Sequence, residues 1–166
     1  LALLWQSWRT TTMPQNDLVV DANVMCLYGT RAAAGHRALF QWLKCCGGLC
    51  VSHHLLMEYA RQGSPLVASL IDDLGKFGRL SKIKKSTINA FGVTDATYAY
   101  TCNPQDIPVA RTCFRSFRKL LVSHDASLRS DVNGFPLVGG VQPTAFHSAP
   151  MAALVAPTGG CGAGSH

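Results

Sequence analysis

The hydrophobic pattern of this chain opens with an uninterrupted run, Leu18-Val19-Val20, that stops on Asp21. Apolar runs without polar alternation are typical of strands buried on both faces, as in parallel sheets. Leu49-Cys50-Val51 repeats the pattern, and Leu120-Leu121-Val122-Ser123 repeats it again before His124-Asp125. Phe135 to Val141, interrupted by Gly139-Gly140, reads as a last strand, with Pro143 and Phe146 docking its end.

Between these runs the spacing changes to three and four residues. Ala32, Leu39, Trp42 and Leu43 predict one buried face of a helix over 32–44, which Gly47-Gly48 ends. Ser52 is an N-cap for a helix from His53 to about Gln62, with Leu55, Leu56 and Tyr59 as its apolar stripe and Glu58 at the border. After the breaker Gly63-Ser64-Pro65, the residues Leu66, Leu70, Leu74 and Phe77 predict a helix over 66–77. A weaker helical pattern over 86–100 is interrupted by Gly92. Asn103-Pro104-Gln105-Asp106 is a helix start, and Val109, Ala110, Cys113, Phe114 and Phe117 follow at helical spacing. Pro108 is tolerated only in a first turn, so Asp106 falls at or just before that turn.

The predicted order is β-α-β-α-α-(α)-α-β-β. Strands alternating with helices imply parallel pairing with helices on both faces, an α/β fold. In such sheets ligands bind beyond the carboxyl ends of the strands. Asp21 and Asp125 both end strands, Glu58 lies in the helix after the second strand, and Asp106 starts the helix that feeds the third. Four of the nine acidic residues are thus expected at one edge.

Such convergence is costly. Two carboxylates about 5 Å apart repel by roughly 3 kcal/mol at an effective dielectric of 20. Four together need raised pKa values or a cation. Mg²⁺ or Mn²⁺ suits an all-oxygen site, and such ions orient a phosphodiester and activate water. Each acid also has a bland role: Asp21 or Asn23 as a helix cap, Glu58 on an exposed helix face, Asp106 at a helix start, Asp125 opening a turn. Asp72, Asp73 and Asp95 read as solvated helix charges, and Asp17 starts the first strand.

Charge points the same way. Fifteen Lys and Arg against nine acids give a net charge of +6 in 166 residues, a balance that favours an anionic partner such as nucleic acid. Lys76 to Lys85 (including Lys82 and Lys84) and Arg111 to Lys119 are the candidate phosphate contacts, the alternative being a solvated surface. His124 beside the fourth acid is a candidate substrate contact, whereas His53 and His54 point about 100° apart on a helix and form no metal pair with each other. The seven cysteines lack a second pair at zinc-site spacing and read as buried reduced thiols of a cytoplasmic protein. No apolar run reaches the roughly 18 residues of a membrane span, and the start lacks the pattern of a signal peptide.

By length the chain is one domain, covering 17–147. Residues 1–16 form an N-terminal extension, of which the part before Met13 is open to being non-native. Residues 148–166, rich in Ala, Gly, Pro and Ser, read as a flexible tail.

Four segments in order resemble the motifs of the PIN-domain family. Leu18-Val19-Val20-Asp21-Ala22-Asn23-Val24 is similar to its first motif, and Ser52 through Leu55-Leu56-Met57-Glu58-Tyr59 to its second. Asn103 to Ala110, with Asp106 opening a helix, is similar to the third, and Leu121-Val122-Ser123-His124-Asp125-Ala126-Ser127-Leu128 to the fourth. Phe135 to Phe146 resembles the closing strand and its Pro-x-x-Phe segment.

The resemblance implies a three-layer α/β/α sandwich around a mostly parallel, flavodoxin-like sheet. It also implies a metal-dependent endoribonuclease, often the toxin of a toxin–antitoxin pair and often a homodimer. Asp21, Glu58, Asp106 and Asp125 would be its catalytic, metal-binding acids for Mg²⁺ or Mn²⁺. Asn23, Ser123 and His124 would contact ligand or substrate, with Lys82, Lys84 and Lys85 on the RNA. Ser127 departs from the pattern, since many members carry an acid or amide there; Asp131 is the available substitute. Pro108 inside the third motif is a second departure.

Two rival readings remain. One is an inactive PIN-like domain that binds RNA or protein. The other is a phosphoryl-transfer enzyme of the haloacid-dehalogenase type, against which Asn23 stands where a second aspartate is required.

Overall fold

The computed structural model describes residues 15–155. Its first strand, β1 (Asp17–Val20), is followed by a single-turn helix α1 (Ala22–Met25), a 3-10 segment (Arg31–His36) and α2 (Arg37–Cys45). Then come β2 (Gly48–Ser52), α3 (His53–Arg61), α4 (Pro65–Lys76), β3 (Leu80–Ile83) and α5 (Lys85–Ala90). Next come α6 (Ile107–Arg115), β4 (Leu120–Val122), α7 (Ala126–Asn133), β5 (Thr144–Phe146) and a 3-10 turn (Met151–Ala153). The strands form one all-parallel sheet in the order β3-β2-β1-β4-β5, flanked by the seven helices as a three-layer α/β/α sandwich.

Burial explains the order. Every residue of β1 and β2 is buried, as expected for strands covered on both faces. α6 packs across β1, β2 and β4, burying Val109, Ala110, Cys113 and Phe114. Ser52 and Ser64 accept the N–H groups of Leu55 and Val67 and so cap α3 and α4, with Pro65 at the first position of α4. Gly47 lets Trp42 lie against the turn into β2, because a Cβ there would meet the indole ring at 2.3 Å.

Several expectations are corrected. The basic stretch after Gly78 contains a strand, β3, which brings the sheet to five. Its pattern alternates, with Ser81 and Ile83 buried and Leu80 and Lys82 half-buried, because successive side chains face opposite sides of the sheet and one side is covered less fully at this edge. The last strand is Thr144–Phe146 rather than 135–141. Gly139 and Gly140, at φ +56° and +79°, turn the chain so that Val138 and Val141 bridge each other, and Phe135 is buried by stacking on Phe114 at 4.1 Å. The segment 32–44 begins as 3-10 helix and leaves Ala32 exposed. Leu66, Phe77 and Phe117 are also exposed, while Val67 and Ile71 supply the buried face of α4. Helix 86–100 is short, ending at Ala90 and passing into 3-10 turn. The tail is anchored over its described part: Ala153 is buried and the Trp42 indole donates to the Val155 carbonyl at 2.8 Å. The extension before residue 15 and the tail after 155 lie outside the described residues.

Asp95 and Asp131 are likewise not solvated or available. Asp95 is buried against Arg111, which donates through Nε (2.7 Å) and a terminal nitrogen (3.0 Å), and it accepts the Tyr100 hydroxyl at 2.5 Å. Asp131 accepts the backbone N–H groups of Thr101 and Cys102 and the Thr101 hydroxyl. It is committed to holding that loop and does not substitute for an acid at Ser127.

Candidate active site

Asp21 continues β1 by one residue, its N–H donating to the Val122 carbonyl of β4 at 2.9 Å. Its carboxylate is buried and held from two sides. One oxygen accepts the Ala22 N–H at 2.7 Å and the other accepts the Ser123 hydroxyl at 2.7 Å. Burial raises its pKa above the ordinary carboxylate value and the charges of Glu58 and Asp125 add to the rise, while the two donated hydrogen bonds oppose it. The helix-cap role and a site role therefore coexist in one side chain.

Asp125 ends the segment after β4 and caps α7 by accepting the Leu128 N–H at 2.9 Å. Its own N–H donates to the Ser123 hydroxyl oxygen at 3.0 Å. Ser123 thus links the two strand-end acids: it donates to one and receives from the backbone of the other.

Asp106 differs from both. It sits at the N-terminal boundary of α6, yet makes no side-chain cap hydrogen bond. Its pKa is pushed up to about 6, first by burial, then by the charges of Asp21, Asp125 and Glu58, and by a hydrogen bond with Asp125. Glu58 projects from α3, with His54 one turn earlier placing Nε2 3.0 Å from its carboxylate. That carboxylate raises the His54 pKa, with a smaller contribution from Asp106. Tyr59, next on the helix, donates its hydroxyl to the Val20 carbonyl and ties α3 to the end of β1.

The four predicted acids therefore lie near the carboxyl edge of β1 and β4, close enough that the charges of Glu58 and Asp125 act on both Asp21 and Asp106. Among the described residues, no three His, Cys, Asp or Glu side chains converge as a ready-made metal-ligand cluster. The donor set is oxygen-rich and open, unlike a closed zinc cage. It fits Mg²⁺ or Mn²⁺ better, because Mg²⁺ keeps several waters and takes one or two carboxylates plus substrate oxygens. The strained Asp106 carboxyl is the group that a cation would relieve.

The other predicted residues divide. Ser123 is fully enclosed and serves the acids rather than an exposed ligand surface. Asn23 uses its side-chain oxygen to accept the His124 N–H at 3.1 Å, fixing the turn after β4. The His124 Nε2 lies 2.7 Å from that of His36, and its ring stacks on His147 at 4.4 Å. Burial and neighbouring positive groups lower the pKa values of His36 and His124, which favours neutral rings at neutral pH.

Lys84 and Lys85 follow β3 directly and so stand at the carboxyl edge, both exposed, whereas Lys82 lies half-buried within the edge strand. Several other cations of the two predicted stretches have protein partners or lie at the opposite edge. Lys76 pairs with Asp72, and Arg79 donates to the carbonyls of Leu43 and Gly47. Arg111 holds Asp95, Arg118 donates to the carbonyls of Asp17 and Asn16, and Lys119 precedes β4 at the opposite, amino edge.

Sequence reasoning missed His36, His147 and Arg129, whose guanidinium donates to the Ser123 carbonyl at 2.9 Å. No local pattern marks the first two, since one ends a 3-10 segment and the other follows β5, far apart in sequence. The His54–Glu58 pair did have a signal, the four-residue spacing that puts two side chains on one helix face.

No protein-family model matches the chain, and no curated protein matches it either. A fold of this class hosts many chemistries, so function has to be argued from the site.

Proposed function

We propose that this protein is a PIN-like, divalent-metal-dependent endoribonuclease. The observation that supports the reading is that Asp106, left free of any capping role, hydrogen-bonds Asp125 and feels the charges of Asp21, Asp125 and Glu58, as Asp21 feels those of Glu58 and Asp125. A bound Mg²⁺ or Mn²⁺ would supply Lewis-acid polarisation of the phosphodiester and activation of water. The four acids would hold the cation, Ser123 keeps Asp21 ionised and oriented, and the exposed Lys84 and Lys85 attract the polyanion. Hydrolysis would leave a 5′-phosphate and a 3′-hydroxyl. An antitoxin and a homodimeric state belong to the same reading. A cytoplasmic location does too, in keeping with described cysteines that are not joined in disulfides. No helix among the described residues is long and apolar enough to cross a membrane.

A second reading, an inactive domain that binds RNA or a protein partner, is favoured by the lack of a converged ligand trio among the described residues. Cleavage of a mixed single-stranded and structured RNA set with Mn²⁺, Mg²⁺ or EDTA separates the two. The nuclease predicts cation-dependent cleavage that Asp21→Asn and Asp106→Asn abolish. Cleavage that survives EDTA and both substitutions would overturn it; salt-sensitive binding without cleavage favours the second reading.

A further inference from the structure

Beside the acidic edge, α3, α5 and the start of α6 enclose a cavity of about 300 Å³. It touches the candidate active site at two points. His54, on its wall, is the residue paired with Glu58, and Pro108, also on its wall, follows Asp106 by two positions. The interior walls are apolar, formed by Met57, Ile88 and Pro108. Its polar lining consists of Ser52, His53 and His54, the exposed Asn89 amide, and the exposed cations Arg61 and Lys85. No carboxylate lines it.

We propose that this cavity is a nucleobase subsite, which takes one unstacked base next to the bond that the acids cleave. The inference rests on the ribonuclease reading above and deepens it.

Four features favour a base over other occupants. The volume lies at the lower end of the roughly 300–1,000 Å³ range of small-molecule pockets, room for a ring system rather than an extended chain. The apolar side chains of Met57, Ile88 and Pro108 can pack against the faces of a base, as in enzymes that hold an extruded nucleotide between apolar side chains. An amide offers both donors and an acceptor, which matches the edge of a base. Arg61 and Lys85 supply positive charge for the phosphates on either side of the bound nucleotide. A base inside a duplex cannot enter, because its faces are stacked and its edge is paired.

The test uses short fluorescein-labelled single-stranded RNA in which each nucleotide in turn is replaced by an abasic ribose. With the wild-type protein and Mn²⁺, removing the base beside the cleaved bond is expected to slow cleavage about tenfold, the scale of losing a few tens of Å² of buried apolar contact. Met57→Trp fills the cavity from an exposed position and so spares the core. It is expected to slow cleavage of the intact strand by a similar factor and to erase the abasic penalty. Asn89→Ala is expected to weaken preference among bases without erasing it. The subsite is overturned if the abasic scan shows no sensitive position, or if Met57→Trp keeps the full penalty.

Should the wild type cleave no RNA, the same strands and variants are compared by fluorescence anisotropy. Binding that shows the abasic penalty only in wild type upholds the subsite and rejects the cleavage reading. Binding without that pattern, or no binding, overturns the subsite as well.

Discussion

The Ser123 hydroxyl donates to the buried carboxylate of Asp21 across the β1–β4 boundary at 2.7 Å and accepts the Asp125 N–H on its other side. One hydroxyl therefore sets the ionisation of one acid and the position of another. Ser123→Ala is expected to raise the Asp21 pKa further, because a hydrogen bond that favours the charged form is lost. Stability at pH 7 should fall by about 1.5–3 kcal/mol, the range for hydrogen bonds to charged groups. Carboxyl-carbon NMR titration and urea unfolding check the two parts; an unchanged Asp21 titration would refute the assignment.

Asp106 predicts an unusual pH dependence. Its pKa is about 6 in the folded protein against an ordinary value of 3.8. Between these values the folded state binds more protons than the unfolded state, so stability is greatest at low pH on this group's account and declines as pH rises through 6. A shift of this size corresponds to roughly 3 kcal/mol, and solvent screening of a half-buried group reduces it to about 1–2 kcal/mol. In EDTA, Asp106→Asn should therefore be more stable than wild type at pH 7.5 by about that amount, while losing cleavage. Added Mg²⁺ should stabilise wild type and not the variant, read as thermal midpoints.

The Asp95–Arg111 pair predicts a purely structural effect. Asp95 is buried and its partner is anchored on α6, so Asp95→Asn leaves a guanidinium without its bidentate acceptor. Breaking one side of a buried pair costs about 3–5 kcal/mol, reduced here to about 2–4 because Arg111 is partly exposed. Chemical denaturation should show this loss, and the apparent Mn²⁺ affinity of the remaining folded protein should be unchanged.

The cations also separate by edge. Lys84→Ala together with Lys85→Ala should flatten the salt dependence of RNA binding by about one to two logarithmic units per decade of salt. Lys76→Ala and Lys119→Ala should leave the slope in place. Equal effects from both sets would mean that the charge acts as a diffuse field.

The parts legible in the sequence were those with local physical signatures. β1 and β2 are continuous apolar runs, and Asn103-Pro104-Gln105-Asp106 starts a helix whatever surrounds it. The acids follow from those elements, because a parallel sheet carries its strand ends to a common edge. β3 was hidden by Lys82, since an edge strand needs only half of its side chains buried. β5 was misplaced because Phe135 is buried by an aromatic stack, a contact that mimics strand hydrophobicity. Asp95, Asp131 and His36 were beyond reach: each finds partners 5 to 88 residues away through loops.

The strand order has a consequence for synthesis. β1 is made first but lies between β2 and β4, and Asp21 meets Ser123 only across 102 residues of chain. At about 5–20 residues per second, that separation is on the order of 5–20 s on the ribosome. Throughout that interval the opening acid is present without its hydroxyl partner or the fourth carboxylate. On the ribonuclease reading proposed above, the site stays incomplete until synthesis has passed Asp125.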